Sequence, residues 1–157
     1  MIVDLDTIIE EMAPYIGKDY ATLGINRSNN VFVFSKDFIE EDWDSFWRAW
    51  KFANDFVYEP GSGMCDEFVA EAIAKFLRSV RKKLVKTEAT AGAWELRGFL
   101  GTKAINGVSG GAHSTVLVAV TTDQKTIQIY VWEPQNEQWT LLQDACANGL
   151  AVVGIGL

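Results

Sequence analysis

The sequence predicts an α+β domain, with helices first and an antiparallel sheet after them. From Cys65 onward Phe68, Val69, Ala72, Ile73, Phe76, Leu77, Val80 and Leu84 recur at helical spacing, with Glu71, Lys75, Arg78, Ser79 and Lys82 between them. Past His113 the pattern changes to short runs rich in Val, Ile, Thr and aromatics at 114–121, 126–132, 138–142 and 150–155, separated by turn-forming residues. No internal repeat or low-complexity linker interrupts the chain, so residues 1–157 read as one domain.

Composition narrows the class of partner. The 157 residues are 48% hydrophobic and 22% charged, enough apolar material for a substantial core. The formal charge of −7 disfavours a nucleic-acid backbone or an anionic membrane, both of which need neutralising Lys and Arg. No basic-then-apolar leader ends in a small-residue cleavage site, and no apolar run approaches the ~18 residues a bilayer requires, so a cytoplasmic chain without a membrane span is expected. Cys65 and Cys146 are too few for a disulfide framework and lack metal-like spacing; a single bridge between them is the open alternative to two free thiols.

Taken in order, Asp4 or Asp6 caps an opening helix through Met12, with Leu5, Ile8, Ile9 and Met12 as its apolar stripe and Pro14 and Gly17 as its end. Residues 19–30 read as loop, and 31–34 as a short strand. A second helix follows Ser35, carrying Phe38, Trp43, Phe46, Trp47, Trp50 and Phe56 at mixed helical spacings, which is the pattern of a core stripe. The acidic run Asp37, Glu40, Glu41, Asp42 and Asp44 reads as a solvated helix face. The turn at 61–64 then delivers Cys65 to the first turn of the long helix, with acidic Asp66 and Glu67 beside it and basic Arg78, Arg81, Lys82 and Lys83 toward its far end. Ala93, Trp94, Leu96, Phe99 and Leu100 suggest a short helix before a glycine-rich stretch that ends at Gly111.

His113, the one histidine, opens the first strand of the C-terminal half. If residues 122–124 form the turn, strand partners are symmetric about Asp123: Thr115 faces Val131, Leu117 faces Ile129, Ala119 faces Ile127, and His113 faces Glu133. A cysteine at a helix N-terminus feels unpaired backbone N–H groups, and a histidine held by a carboxylate can take its proton. Asp66 and Glu67 oppose the thiolate, so such chemistry needs the histidine. The candidate catalytic set is Cys65, His113 and Glu133; the bland alternative is a small buried cysteine and a structural histidine.

Cys65-Asp66-Glu67-Phe68, Gly111-Ala112-His113 and Trp132-Glu133-Pro134-Gln135 together resemble the papain-like cysteine protease domain attached to fungal lectins of the Marasmius oreades agglutinin type and its bacterial and phage relatives. The resemblance spans about residues 58–135. It implies a papain-like fold with N-terminal helices packed on a C-terminal antiparallel sheet. It also implies a thiol hydrolase cleaving peptide or related amide bonds, with Cys65 as nucleophile, His113 as base, Glu133 as its orienter, and Gln135 and Trp132 lining the cleft. A peptide or protein substrate is then the expected partner, and a catalytically silent binding or structural module the alternative. No segment corresponding to the lectin half of that family is expected in these residues, so the resemblance does not carry sugar binding over to this chain. The family's calcium, held by acids near the cysteine turn, would have only Glu59, Asp66 and Glu67 to call on, so no cofactor is expected. A papain-type glutamine before the cysteine is missing, which leaves the backbone N–H groups of Cys65 and Asp66 as oxyanion donors.

Overall fold

The computed structural model describes residues 1–16, 21–22, 29–57 and 64–156. The expected loop around Gly24, Asn26 and Ser28 and the turn at Glu59, Gly61, Ser62 and Gly63 lie outside them. In chain order the elements are β1 (Ile2–Asp4), α1 (Leu5–Ile16), β2 (Ala21–Thr22), β3 (Asn30–Phe32), β4 (Phe34–Ser35), a π-helical turn (Phe38–Trp43), α2 (Asp44–Ala53) and α3 (Met64–Thr87). Then follow β5 (Ala89–Ala91), β6 (Ala93–Leu100), β7 (Gly111–Thr121), β8 (Gln128–Glu133), β9 (Gln138–Leu141), α4 (Leu142–Ala147) and β10 (Ala151–Ile155). The chain is α+β, with a mostly antiparallel sheet ordered β2-β10-β6-β7-β8-β9; β4 joins β7 in parallel, and β1-β3-β5 form a smaller sheet.

Helices cover both faces of the large sheet: the N-terminal helices pack on it, α1 on one face and α2 with α3 on the other, and the C-terminal α4 lies beside α1. On one face Ile8 and Met12 of α1 and Leu142 and Ala145 of α4 pack with Leu96, Leu117, Ala119, Ile129 and Val131. On the other, Trp43, Trp47, Phe68, Ala72 and Phe76 pack with Val116, Val118, Val120 and Trp132. Successive residues of β7 therefore serve opposite cores, and a strand buried on both sides reads as an unbroken apolar run. The long helix fulfils its pattern: Phe68, Val69, Ala72, Phe76 and Val80 are buried, while Leu77 stays 39% exposed. Most of the aromatic stripe is core as well, with Phe46 left half-exposed: Trp43 stacks on Phe76 with centroids 3.5 Å apart and meets Trp132 edge-on at 5.5 Å.

Four expectations need correction. The segment around Ala93 to Leu100 is a strand, β6, in which Leu96 and Leu100 point inward while Arg97 and Phe99 point out; a period of two outweighs the helix propensity of its Ala and Leu. Gly92, just before it, donates to the Phe32 carbonyl and accepts from Ala119, and an added Cβ would stand 2.8 Å from that same Phe32 oxygen. The fourth C-terminal run, now β10, does not continue the meander; the α4 turn carries it across to pair with β6, with a register shift between Val152 and Gly154. α1 runs through Pro14 to Ile16 rather than stopping there.

The last correction concerns register. Leu117 pairs with Val131 and Ala119 with Ile129, a two-residue slide from symmetry about Asp123. The loop is longer than a tight turn because Asp123 Oδ1 accepts from the Lys125 and Thr126 amides at 2.9 and 2.8 Å and Gln124 takes φ +58°. A slide of two keeps every side chain on its intended face.

Two outcomes follow from this packing. Phe76→Ala, which empties the stack under Trp43, is expected to lower unfolding free energy by about 3–5 kcal/mol in urea titrations. The Thr126 amide, then the Lys125 amide, pull the Asp123 carboxyl down to about 2. Its side-chain carbon shift should therefore titrate near that value in NMR, and whatever stability the turn contributes should be present above the ordinary carboxylate range and lost as pH falls toward 2.

Candidate functional site

The cleft lies where the N-terminus of α3 meets the end of β6 and the start of β7, which pair there. Cys65 stands in the first turn of α3, as the sequence pattern predicts, and is partly exposed. Asp66, next to it, accepts a 2.5 Å hydrogen bond from Ser114 Oγ, which ties the helix end to β7. His113, the residue before Ser114, lines the same cleft as Cys65, Asp66, Arg97 and Phe99, an open space of about 280 Å³. Its strand neighbour is Gly98 of β6 rather than Glu133. Gly98 is required there: a Cβ would sit 2.6 Å from the Ala151 carbonyl of β10.

The imidazole and the carboxylate still meet. One step beyond the Val116–Trp132 pair sets Glu133 opposite Thr115, so His113 reaches it on the diagonal, and His113 Nε2 lies 2.6 Å from Glu133 Oε2. Glu133 is only 2% exposed, which keeps that contact free of competing water. The segment after it is clamped from α2. Trp47 Nε1 donates to the Pro134 carbonyl at 2.6 Å, and Lys51 Nζ donates to the Pro134 and Gln135 carbonyls at 3.1 and 2.8 Å while pairing with Glu137. The Gln135 amide in turn donates to Glu133 Oε1 at 3.3 Å.

Two expected cleft residues stand elsewhere. Trp132 is fully buried in the aromatic core, because its strand neighbour Glu133 takes the opposite direction. Gln135 contributes its backbone to the clamp and does not line the cleft. Arg97, Gly98, Phe99, Ser114 and Val153 also line the cleft and were not found by sequence reading; for Arg97 and Phe99 the signal available was their outward position in an alternating strand, hidden once that strand was read as a helix. Hydrogen bonding to Glu95 and the charge of that carboxylate, with Asp66 beyond it, hold the Arg97 guanidinium above its ordinary range.

The other thiol is different in kind. Cys146 packs against the core, and burial pushes its thiol up, away from thiolate character; it is unbridged, as is Cys65. Among the described residues no group of three or more His, Cys, Asp or Glu converges as a metal-binding set, and Glu59 lies outside them. No helix among them is long and apolar enough to cross a membrane.

No protein-family model matches the chain, and no curated protein does. Solved structures do. A structure titled as the PSL1a–E64 complex aligns with TM-score 0.67 at 12% identity, covering 98% of this chain and 49% of its own. Polyporus squamosus lectin bound to the human-type influenza-binding epitope Neu5Aca2-6Galb1-4GlcNAc aligns with TM-score 0.66 at 14% identity, covering 98% and 49%. This chain thus spans about half the length of each, and at such identity the likeness is one of fold.

These findings correct the family expectation. One title names a lectin bound to a sialylated epitope and the other names PSL1a with E64; neither prints a papain-like protease. The reading of the chain as a thiol hydrolase with a peptide substrate is set aside on that ground.

The surroundings of the clamp generate a pH dependence. Burial, against hydrogen bonds from Trp139 Nε1 at 2.9 and 3.2 Å and with the Glu137 charge adding to it, raises the Asp44 carboxyl to about 6. A carboxyl that the fold holds above its unfolded value of 3.8 binds more protons folded than unfolded, so stability falls as pH rises from about 4 through about 6. Asp44→Asn, which keeps an acceptor for Trp139, should flatten that decline: melting temperatures of variant and parent are expected to coincide most closely near pH 4 and to diverge in favour of the variant by pH 7.

Proposed function

We propose that this chain is a ligand-binding module whose site is the Cys65–His113 cleft, and that its ligand is a glycan. The supporting observation is the convergence, in one open cleft, of the 54% exposed Phe99 ring with the charged and polar edges of Asp66, Arg97, His113 and Ser114, drawn from a helix and two strands. A sugar offers C–H faces to a ring and hydroxyls to charged groups, and such mixed linings with few placed polar groups are the usual build of small-ligand sites. The fold neighbours include a lectin solved with a sialylated trisaccharide, which makes a glycan the first class to test.

In this reading Cys65, His113 and Glu133 are the functional side chains. Glu133 fixes the imidazole through Nε2, leaving Nδ1 to hydrogen-bond a ligand hydroxyl. Asp66, already accepting from Ser114, orients that hydroxyl and the helix end together. Arg97 presents its guanidinium at the rim, where Glu95 holds it in place.

Calorimetric titration with Neu5Aca2-6Galb1-4GlcNAc provides the test. Saturable binding is expected, weakened about tenfold or more by either Phe99→Ala or His113→Ala, a loss of about 1.4 kcal/mol. Absence of saturable binding, or binding that neither substitution disturbs, would overturn the glycan reading. Incubation with a peptide mixture runs in parallel: Cys65-dependent appearance of cleaved peptides would overturn the binding-module reading itself.

A further inference from the structure

Residues 134–137 join β8 to β9, and the Glu137 amide closes that loop by donating to the Glu133 carbonyl at 2.9 Å. α2 nevertheless reaches across to grip it. Trp47 Nε1 at 2.6 Å and Lys51 Nζ at 3.1 Å both donate to the Pro134 carbonyl, and Lys51 also donates to the Gln135 carbonyl at 2.8 Å. Loop closure alone does not need these contacts.

What they fix is the orientation of one peptide plane. A trans peptide is rigid, so its C=O and N–H point in opposite directions. Holding the Pro134 oxygen from α2 therefore aims the Gln135 N–H away from that helix, at Glu133 Oε1, 3.3 Å off. The other carboxylate oxygen, Oε2, meets His113 Nε2 at 2.6 Å. A carboxylate accepts, so Nε2 carries the hydrogen and Nδ1 is left as the acceptor of the ring.

Glu137 bears the mark of the same device. Its backbone takes φ +56°, where a non-glycine residue is strained, and its carboxylate, 10% exposed, pairs with Lys51, itself 12% exposed. A glycine would make that turn without strain. The glutamate instead supplies the opposite charge that lets an ammonium lie nearly buried against two carbonyls.

We propose that Lys51 is a positioning residue for the cleft: it sets the Glu133 carboxylate and, through it, the orientation and tautomer of His113. This role rests on the Cys65–His113 cleft being the functional site, whatever ligand it takes.

His113 is the one histidine, so its ring N–H is a single reporter in NMR of the ligand-free protein. Its exchange with solvent is measured in the parent, in Lys51→Arg, which keeps the charge and the donors, and in Lys51→Met/Glu137→Gln, which removes both charges so that neither is left buried and unpaired. The parent is expected to show a protected hydrogen on Nε2, and Lys51→Arg to keep it. In the double variant that hydrogen should exchange about tenfold faster or more, while the amides of the Trp132–Trp139 ladder stay protected. Lys51→Gln, expected to fall between the two, decides the matter if the double variant does not fold. Parent-like protection in the variants lacking the ammonium, free exchange of the ring hydrogen in the parent, or loss of protection at His113 only together with the ladder amides would each overturn this role. No ligand enters the measurement, so its failure is distinct from an absence of glycan binding in calorimetry.

Discussion

The structure depends on burial of β7 from both sides. Its even-numbered valines, Val116, Val118 and Val120, press on the aromatic layer under α2 and α3, while Leu117 and Ala119 press on α1 and α4. Each face removes apolar side chains from water, and neither face can shift alone, because a one-residue slip would send every side chain to the wrong core. β6 and β8 take its hydrogen-bonding edges, and β4 fills the stretch that β6 leaves. The strand is thus fixed in position and register before any polar contact is counted.

That fixity is what makes a polar cleft possible at its open end. Ser114 and His113 are the first side chains past the doubly buried stretch, so they emerge at a defined point beside the N-terminus of α3. The Ser114–Asp66 hydrogen bond then holds the helix end, and the Trp47 and Lys51 clamp holds the backbone that follows Glu133. A buried carboxylate facing an imidazole at 2.6 Å is costly to assemble unless both are pinned, and here each is pinned from a different layer. Fold likeness at 12–14% identity fits this picture, since a two-faced core needs only hydrophobic residues of suitable size at alternating positions.

Much of the fold was legible where one periodicity dominated. α3 and the three strands β7, β8 and β9 follow directly from spacing, and the aromatic stripe declared itself core. Legibility failed where propensity and environment disagreed: β6 carries the helix formers Ala93, Leu96 and Leu100 and became a strand because β7 and β10 offered it two ladders. The six-residue α4 is too short to show a helical period, and its presence is what redirects β10 across the sheet. At the cleft, Cys65, His113 and Glu133 could be named from the chain, whereas Trp132 was misassigned because its aromatic side chain suggested a contact surface when alternation had already sent it inward.

The sequence by itself determined that a cysteine begins a helix, that the sole histidine begins a strand, and that Glu133 lies on the next one, since each depends on residues within a turn or two of chain. Only the tertiary structure decided how far His113 is from Glu133 along the ladder, which aromatic residues face solvent, and that Arg97 and Phe99 join the cleft. The physical reason is that local spacing fixes which way a side chain points along its own element, while neighbours distant in the chain fix what it points at.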